Sequence, residues 1–450
     1  MPQLKTTGNK YDLSFVGLGK LGLPLAGLFG KKLKLLAIDR NSDLIKKLRE
    51  KQLPFFEPGL DDLLNEAYDN VTYTTNYDDV VETDTTLILV NTPSKPDGGF
   101  SNEYIVDVLH QVCQRLKYKE NPDHLFIISS TVMPRSIMDE FVPLIEKDTG
   151  WTLNKEFGVA HTPDFVALGK VIKDFQHPDT LIMGISDEVK YFDRLNQLYL
   201  NVTDKTPKVC SLTEAEIAKV SLNAYVTMKI SFANFVGKLC EKYDDTDAVN
   251  VLDAIGGDRR ISPYYLKPGL SFGGACFPRD TWAFIEFARR SGLDAVHIKA
   301  IQKINEEQDT LLKHKVVRNL YRTPEGRHDP KVSVLGLSFK TDTAVTEKSP
   351  AIELINRLLL EGVEIYAYDP LLNDEMKKAF PKSVHYCEST KECFEKTNTV
   401  VIMLPYKEFE EDITAIIDKD ETEKCIIDCW RLLSPKDFTG KTTLLTIGKK

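Results

Sequence analysis

Residues 13–24 read LSFVGLGKLGLP: four strand-forming residues, Leu13 to Val16, run straight into Gly17, Gly19 and Gly22 in GxGxxG spacing, and Pro24 falls where the first turn of a helix begins. Proline there costs no hydrogen bond, because the first N–H groups of any helix lack partners. The glycines permit a tight turn, and they let the backbone along Leu18, Lys20 and Leu21 approach a pyrophosphate at the helix N-terminus. The pattern alone is common, but here its context agrees. A second apolar strand, Leu35 to Ile38, ends about 20 residues on at Asp39, where a carboxylate accepts a ribose 2′-hydroxyl and repels a 2′-phosphate. NAD is therefore the expected cofactor, with Arg40 the one neighbour that a 2′-phosphate could use.

The rhythm continues outward. Thr86 to Val90, Leu125 to Ser129 and Leu181 to Gly184 read as buried strands between amphipathic helices, which implies a parallel, doubly wound sheet. From Thr213 to about Tyr243 the helical period holds with no Pro and no Gly before Gly237, and Thr213 and Glu216 stand at capping-box spacing. This segment is predicted as one long helix. Strand and helix alternation then returns with Val332 to Leu335, a helix around Ala351 to Leu360, and strands at Val363 to Ala367, Thr399 to Met403 and Cys425 to Ile427. The expected fold class is α/β, two Rossmann-like doubly wound parallel-sheet domains joined by a long central helix. The expected domains are 1–210, which binds NAD, 211–321, which carries the helix, and 322–450, with Arg322 to Pro330 as linker.

Composition narrows the function. Against 67 acidic residues stand 58 Lys and Arg, a net charge of -9, which disfavours any general attraction to nucleic acid or anionic lipid. An anionic substrate then needs a local basic pocket. No apolar run approaches the roughly 20 residues that span a bilayer. The eight cysteines form no CxxC pair and no zinc-like spacing, and the N-terminus does not read as a signal peptide. Reduced thiols, a cytoplasmic location and no metal are expected.

Two further constellations carry chemistry. In YLKPGLSFGGACFPRD, Tyr265 to Asp280, Cys276 sits in a loop stiffened by two prolines and flanked by Lys267, Arg279 and Asp280. Cationic neighbours favour a thiolate, the nucleophilic form, and Gly273 and Gly274 suit backbone that a ligand approaches closely. Most cysteines are inert and apolar, so the loop, not the residue type, makes this one a candidate. Lys219 and Asn223, four residues apart, share a helix face; taken alone, such a pair is what any solvated face carries.

In this order the segments resemble the family of UDP-glucose, GDP-mannose and related nucleotide-sugar dehydrogenases. The resemblance covers nearly the whole chain, adding FFEPGL (55–60), NTP (Asn91, Thr92, Pro93), STV (130–132), TPDF (162–165), AKVSLNA around Lys219, RRIS (259–262), GLSFK (336–340) and YDP (368–370). It implies that Cys276 attacks the aldehyde formed in a first oxidation and passes through a thiohemiacetal to a thioester. It implies that Lys219 and Asn223 stabilise the oxyanion at C6, that Asp280 and Thr131 hold the hydrolytic water, and that Asp164 is the acid or base. Cofactor contacts then include Asn91, Thr92, Pro93, Thr131 and Arg279. Substrate contacts include Phe165, Val166, Phe272, Gly273, Tyr265, Lys267, Phe339, Lys340 and Arg431, with Arg260 supplied by a partner subunit.

Some positions depart from the family pattern. Asp164 replaces a glutamate and is one methylene shorter, Leu168 stands where a glutamate often follows, and Thr162 replaces an asparagine. Ala344, Val345 and Glu347 stand where many members carry two aspartates and an arginine. Ala275 before the cysteine, with Phe277, Pro278 and Arg279 after it, is similar to the UDP-glucose and GDP-mannose type rather than the N-acetylated-sugar type. UDP-glucose is the expected substrate, with GDP-mannose or a UDP-N-acetylhexosamine as alternatives. A hydroxyacid dehydrogenase would need no cysteine, and a non-catalytic nucleotide-sugar binder would not need the full residue set. Apolar Ile217, Val220, Val226, Ile230, Phe235 and Leu239 along the long helix suggest a homodimer, which the resemblance also implies.

Overall fold

The computed structural model describes residues 9–320, 330–417, 423–438 and 441–450, so all of the expected linker but Pro330 lies outside the described residues. The chain divides into two compact units, the first ending at Leu222 and the second beginning at Asn223.

The first unit holds β1 (Leu13–Val16), β2 (Leu35–Ile38), β3 (Val71–Thr74), β4 (Thr85–Ile88), β5 (His124–Ile128), β6 (Phe157–His161), β7 (Ile182–Ile185) and β8 (Lys208–Cys210). They form one sheet in the order β3-β2-β1-β4-β5-β6-β7-β8. Every residue of β1, β2, β4, β5 and β6 is buried, as a parallel sheet with helices on both faces requires. The order reverses at β1, which lies between β2 and β4, and this switch point opens a crevice at the carboxyl ends of the strands.

The expectation of a purely parallel sheet needs correction at β7, which runs antiparallel to β6. The connection between them contains only the six-residue helix Val171–Gln176, a rise of about 9 Å, against about 16 Å for a five-residue strand. Most of the connection is non-helical, and β7 enters from the opposite end.

The second unit holds β9 (Lys331–Leu335), β10 (Glu364–Tyr368), β11 (His385–Tyr386), β12 (Thr399–Ile402), β13 (Cys425–Asp428) and β14 (Thr443–Thr446), all parallel in the order β11-β10-β9-β12-β13-β14. This repeats the order of the first six strands of the other sheet.

The long helix is Leu212–Cys240, 29 residues and about 43 Å. Its capping box is not Thr213 with Glu216. Ser211 and Glu214 form it: the Glu214 N–H donates to Ser211 Oγ at 3.3 Å, and the Ser211 N–H donates to Glu214 Oε2 at 2.7 Å. The cap lies two residues earlier than the pattern predicts, and Glu216 is released for a different task.

Candidate active site

At the end of β1 the backbone of Gly17 turns with φ +102, and its N–H donates to the Ile38 carbonyl at the end of β2. The helix Gly22–Gly30 begins three residues beyond Gly19. Glycine is required at Gly22 by the protein itself, since a Cβ there would strike the Gly17 carbonyl oxygen. At Gly19 a Cβ would meet nothing within 4 Å. The protein has no packing reason to keep that position bare, whereas a ligand lying on the turn does. The same helix start has no side-chain cap and no acidic residue in its first turn, so its N–H groups and its positive end are left for an anion.

Asp39 accepts the Leu18 N–H at 2.8 Å and the Asn41 N–H at 2.9 Å, one on each oxygen, and is half-buried. Each oxygen keeps a lone pair for a ribose hydroxyl. Arg40 is exposed, its guanidinium 4.4 Å above the Tyr104 ring. The turn, the helix end and the carboxylate together fit NAD.

The segments after β4 and β5 are tied together. Ser130 Oγ accepts the Val90 N–H and donates to the Val90 carbonyl, each at 2.8 Å, and Thr92 Oγ1 donates to the Thr131 carbonyl at 2.7 Å. Asn91 and Pro93 are exposed on either side of buried Thr92.

After β6 comes the segment with Asp164, Phe165 and Val166. Lys219 is 9% exposed; its ammonium donates to the Asp164 carbonyl oxygen and lies 4.8 Å from the Phe165 ring centre. Asp164 is half-buried, yet its Oδ2 is buried with no partner. Burial pushes this carboxyl up to about 7, with Lys219 opposing the rise. The carboxyl can therefore hold or release a proton near neutrality.

Three neighbours carry no signal in the sequence or a misleading one. His161 is fully buried, its Nδ1 against the Ile128 carbonyl at 2.7 Å and its Nε2 without a partner; burial pulls it down to about 4, so the ring is neutral. Thr162 faces the interior, accepting from Tyr199 at 2.6 Å and sharing a 2.8 Å hydrogen bond with Ser129. Leu168 packs against the core.

In the second unit Cys276 is exposed and is the N-cap residue of the helix Phe277–Arg290, with Pro278 in its first turn. The sequence reads this stretch as loop through Asp280; in fact the helix begins directly after the cysteine. Asp280, one turn on, is fully buried. Its Oδ2 accepts from Asn223 at 2.6 Å and its Oδ1 from Arg279 at 3.0 Å.

The loop before the cysteine is fastened by three polar residues that sequence reading passed over. Asn234 bonds the Gly269 N–H and the Leu270 carbonyl, Asn305 bonds both backbone groups of Phe272, and Gln308 donates to the Gly269 carbonyl. Buried amides at helical positions are the available clue. Gly273 and Gly274 serve packing: a Cβ at Gly273 would strike the Lys348 carbonyl, and at Gly274, φ +81, the Phe339 ring. Both are kept bare by a neighbouring loop, a packing demand that the sequence does not show.

The remaining candidates are less alike. Tyr265, φ +61, is exposed and edge-on to the Phe277 ring at 6.1 Å. Lys267 is exposed, and Phe339 and Lys340 are half-buried beside Gly336. Arg260 is exposed and paired with Asp258 at 2.8 Å. The Arg431 guanidinium is held by Asp247 at 2.7 Å and by the Ile447 carbonyl. Glu347 is exposed. Among the described residues no group of three or more His, Cys, Asp or Glu could hold a metal ion, and no helix is long and apolar enough to cross a membrane.

Comparison with known proteins gives the family. Residues 11–203 match the NAD binding domain of the UDP-glucose/GDP-mannose dehydrogenase family, 213–307 its central domain and 333–435 its UDP binding domain. A UDP-glucose 6-dehydrogenase of Haloferax volcanii is 30% identical, covering 95% of this chain and 98% of the relative. A GDP-mannose 6-dehydrogenase of Pseudomonas putida is 31% identical, covering 79% and 80%. Among solved structures, a UDP-glucose dehydrogenase of Pyrobaculum islandicum superposes with TM-score 0.87 at 28% identity over 99% of both chains. At 23% identity and TM-score 0.81, the structure of a UDP-D-ManNAc dehydrogenase of Pyrococcus horikoshii, covering 97% of this chain and 99% of its own, shares the fold. With an NAD-binding domain, a central domain and a nucleotide-sugar domain all matched in order, the chain belongs to the UDP-glucose/GDP-mannose dehydrogenase family of NAD-dependent oxidoreductases.

Proposed function

We propose that this protein oxidises C6 of UDP-glucose from alcohol to carboxylate, in two oxidations that share one cysteine. The carrying observation is Cys276, exposed at the start of a 14-residue helix, with Asp280 buried one turn behind it and held by Asn223 and Arg279. A helix N-terminus stabilises negative charge, which suits a sulfur that must act as thiolate.

Two molecules of NAD, held in turn at the glycine turn and Asp39, would supply the hydride acceptors, one for each oxidation. Asp164 takes the hydroxyl proton as the alcohol becomes an aldehyde. Cys276 Sγ then forms a bond to the aldehyde carbon, and Lys219 and Asn223, one helical turn apart, stabilise the resulting oxyanion. One such donor is typically worth about 3 kcal/mol. Loss of the second hydride leaves a thioester; water, positioned by Asp280 and Thr131, breaks the C–S bond and returns the thiol.

The three matched segments support three working parts, with NAD on 1–210, the helix and cysteine on 211–321 and the nucleotide on 322–450. Tyr225, Phe232, Phe235 and Leu239, about half exposed along the long helix, support a homodimer. Eight cysteines, none in a disulfide, support a reducing compartment such as the cytoplasm.

The test is NADH formed per mole of limiting UDP-glucose, with GDP-mannose and UDP-N-acetylmannosamine alongside. Two NADH per UDP-glucose are expected, and Cys276→Ser should abolish the second. One NADH in both proteins would sink the thioester, and turnover of GDP-mannose alone would replace the substrate.

A further inference from the structure

Two buried glutamates have no part in that chemistry, yet each holds the backbone a few residues beyond one of its residues. Glu57 is 7% exposed; its Oε2 accepts the Gly169 N–H and its Oε1 the Val171 N–H, each at 2.8 Å. Glu216 is fully buried; its Oε2 accepts the Arg135 N–H at 2.7 Å and its Oε1 the Ile137 N–H at 3.0 Å. Each carboxylate takes two N–H groups two residues apart, just where a helical turn starts.

The two places match in a second way. One helical turn follows β5 and the segment with Thr131; the other follows β6 and the segment with Asp164. Elsewhere the chain caps helix starts locally, with Asn41, Asp187, Ser349 and Ser389 reaching only two or three residues ahead. Local caps satisfy the same N–H groups and leave the preceding loop free to swing. A carboxylate from a distant part of the chain instead anchors the loop to another element. Glu216 lies on the long helix three residues before Lys219, and Glu57 precedes the helix Leu60–Ala67.

We propose that Glu57 and Glu216 are positioning residues: two remote carboxylates that fix the segments carrying Asp164 and Thr131 in register with Lys219. The role rests on the proposed function, because it assigns Asp164, Thr131 and Lys219 to one reaction. Small displacements at a reacting centre are costly, about 10²-fold in rate for 1 Å. Glutamine at either position keeps the volume but offers one acceptor oxygen for two N–H groups.

The experiment uses full-length Glu57→Gln and Glu216→Gln proteins, measuring backbone hydrogen exchange, kcat and KM. Glu216→Gln should lose protection in 131–141 alone and Glu57→Gln in 164–176 alone. Each should lower kcat by roughly ten-fold or more; KM for NAD should stay within about two-fold in Glu57→Gln and rise in Glu216→Gln, because Thr131 is also an expected cofactor contact. Glu216→Gln should also accumulate a covalent acyl group on Cys276, visible in the intact mass, because Thr131 serves thioester hydrolysis. If either glutamine variant does not fold, Glu→Asp, which reaches one N–H, replaces it with the same readouts.

Folded variants with unchanged exchange, or with kcat within two-fold of the parent, overturn the inference. A parent protein that oxidises no nucleotide sugar overturns the functional reading and the positioning role with it, and the exchange data then separate that failure from a failure of the clamps.

Discussion

The two parallel sheets begin in the same way and end with different uses. In the first, Gly17 turns at φ +102 and bonds the Ile38 carbonyl; in the second, Gly336 turns at φ +95 and bonds the Tyr368 carbonyl. In each, an aspartate at the end of the neighbouring strand accepts the next backbone N–H: Leu18 to Asp39 at 2.8 Å, Leu337 to Asp369 at 2.7 Å. Beyond that they part. Asp39 is half-buried and keeps lone pairs, whereas Asp369 is 1% exposed and also takes Ser338 N–H, Ser338 Oγ and Leu371 N–H. The helix follows the first turn at Gly22 but waits until Pro350 after the second, and Ser338 and Thr341 stand where Gly19 and Gly22 would be. One strand order therefore supports a dinucleotide turn in one unit and a self-satisfied loop in the other, and the difference lies in how much of one carboxylate the backbone consumes.

That comparison can be broken most directly at Asp369. Asp369→Asn removes the charge that gathers several buried donors, and about 3 kcal/mol of stability should go with it, with KM for NAD unchanged. Denaturant unfolding and NAD titration check both halves of the statement, and a change in NAD affinity would contradict the division of labour.

A smaller effect should come from Asp164. Its carboxyl holds a proton to about 7 in the folded protein, against ~3.9 in the unfolded chain. Between those values the folded state binds more protons, so this group's contribution to stability is full below pH ~4 and is lost as pH rises through about 7. Allowing for its partial exposure, Asp164→Asn should flatten that fall by about 2 kcal/mol between acidic and neutral pH. Urea unfolding of both proteins at several pH values measures it; parallel curves would show that the carboxyl ionises normally.

The smallest effect belongs to Asp39. Asp39→Asn should raise KM for NAD by about ten-fold, or ~1.4 kcal/mol, while shifting stability by less than Asp369→Asn does. Equal destabilisation by the two substitutions would mean that both carboxylates are structural and would remove the distinction.

How much of this was legible depended on whether neighbouring residues or distant ones set the outcome. β1 and β2 fall where apolar runs predict them, because buried parallel strands are continuous in Leu, Val and Ile. β3, with VTYT, and β6, with FGVAH, were not readable: one alternates polar residues at the sheet edge, the other hides a glycine and a neutral histidine in the core. β8, three residues long, and β11, two residues long, are too short to show a period. In the site, the glycine turn and Asp39 could be read because they are consecutive or nearly so. The partners of Asp280, the packing reason for Gly273 and Gly274, and the engagement of Arg431 by Asp247 are long-range contacts that no local pattern encodes. Glu216 shows the limit well, since its spacing from Thr213 suggested a cap while its carboxylate was committed to Arg135 and Ile137.

The empty space beside Gly19 has a consequence for selection. Because a methyl group there meets no protein atom within 4 Å, Gly19→Ala should express, fold and melt like the parent. A library screened for solubility or heat tolerance would pass it unnoticed, and only growth that depends on the enzyme's turnover would remove it. The position is guarded by metabolism alone.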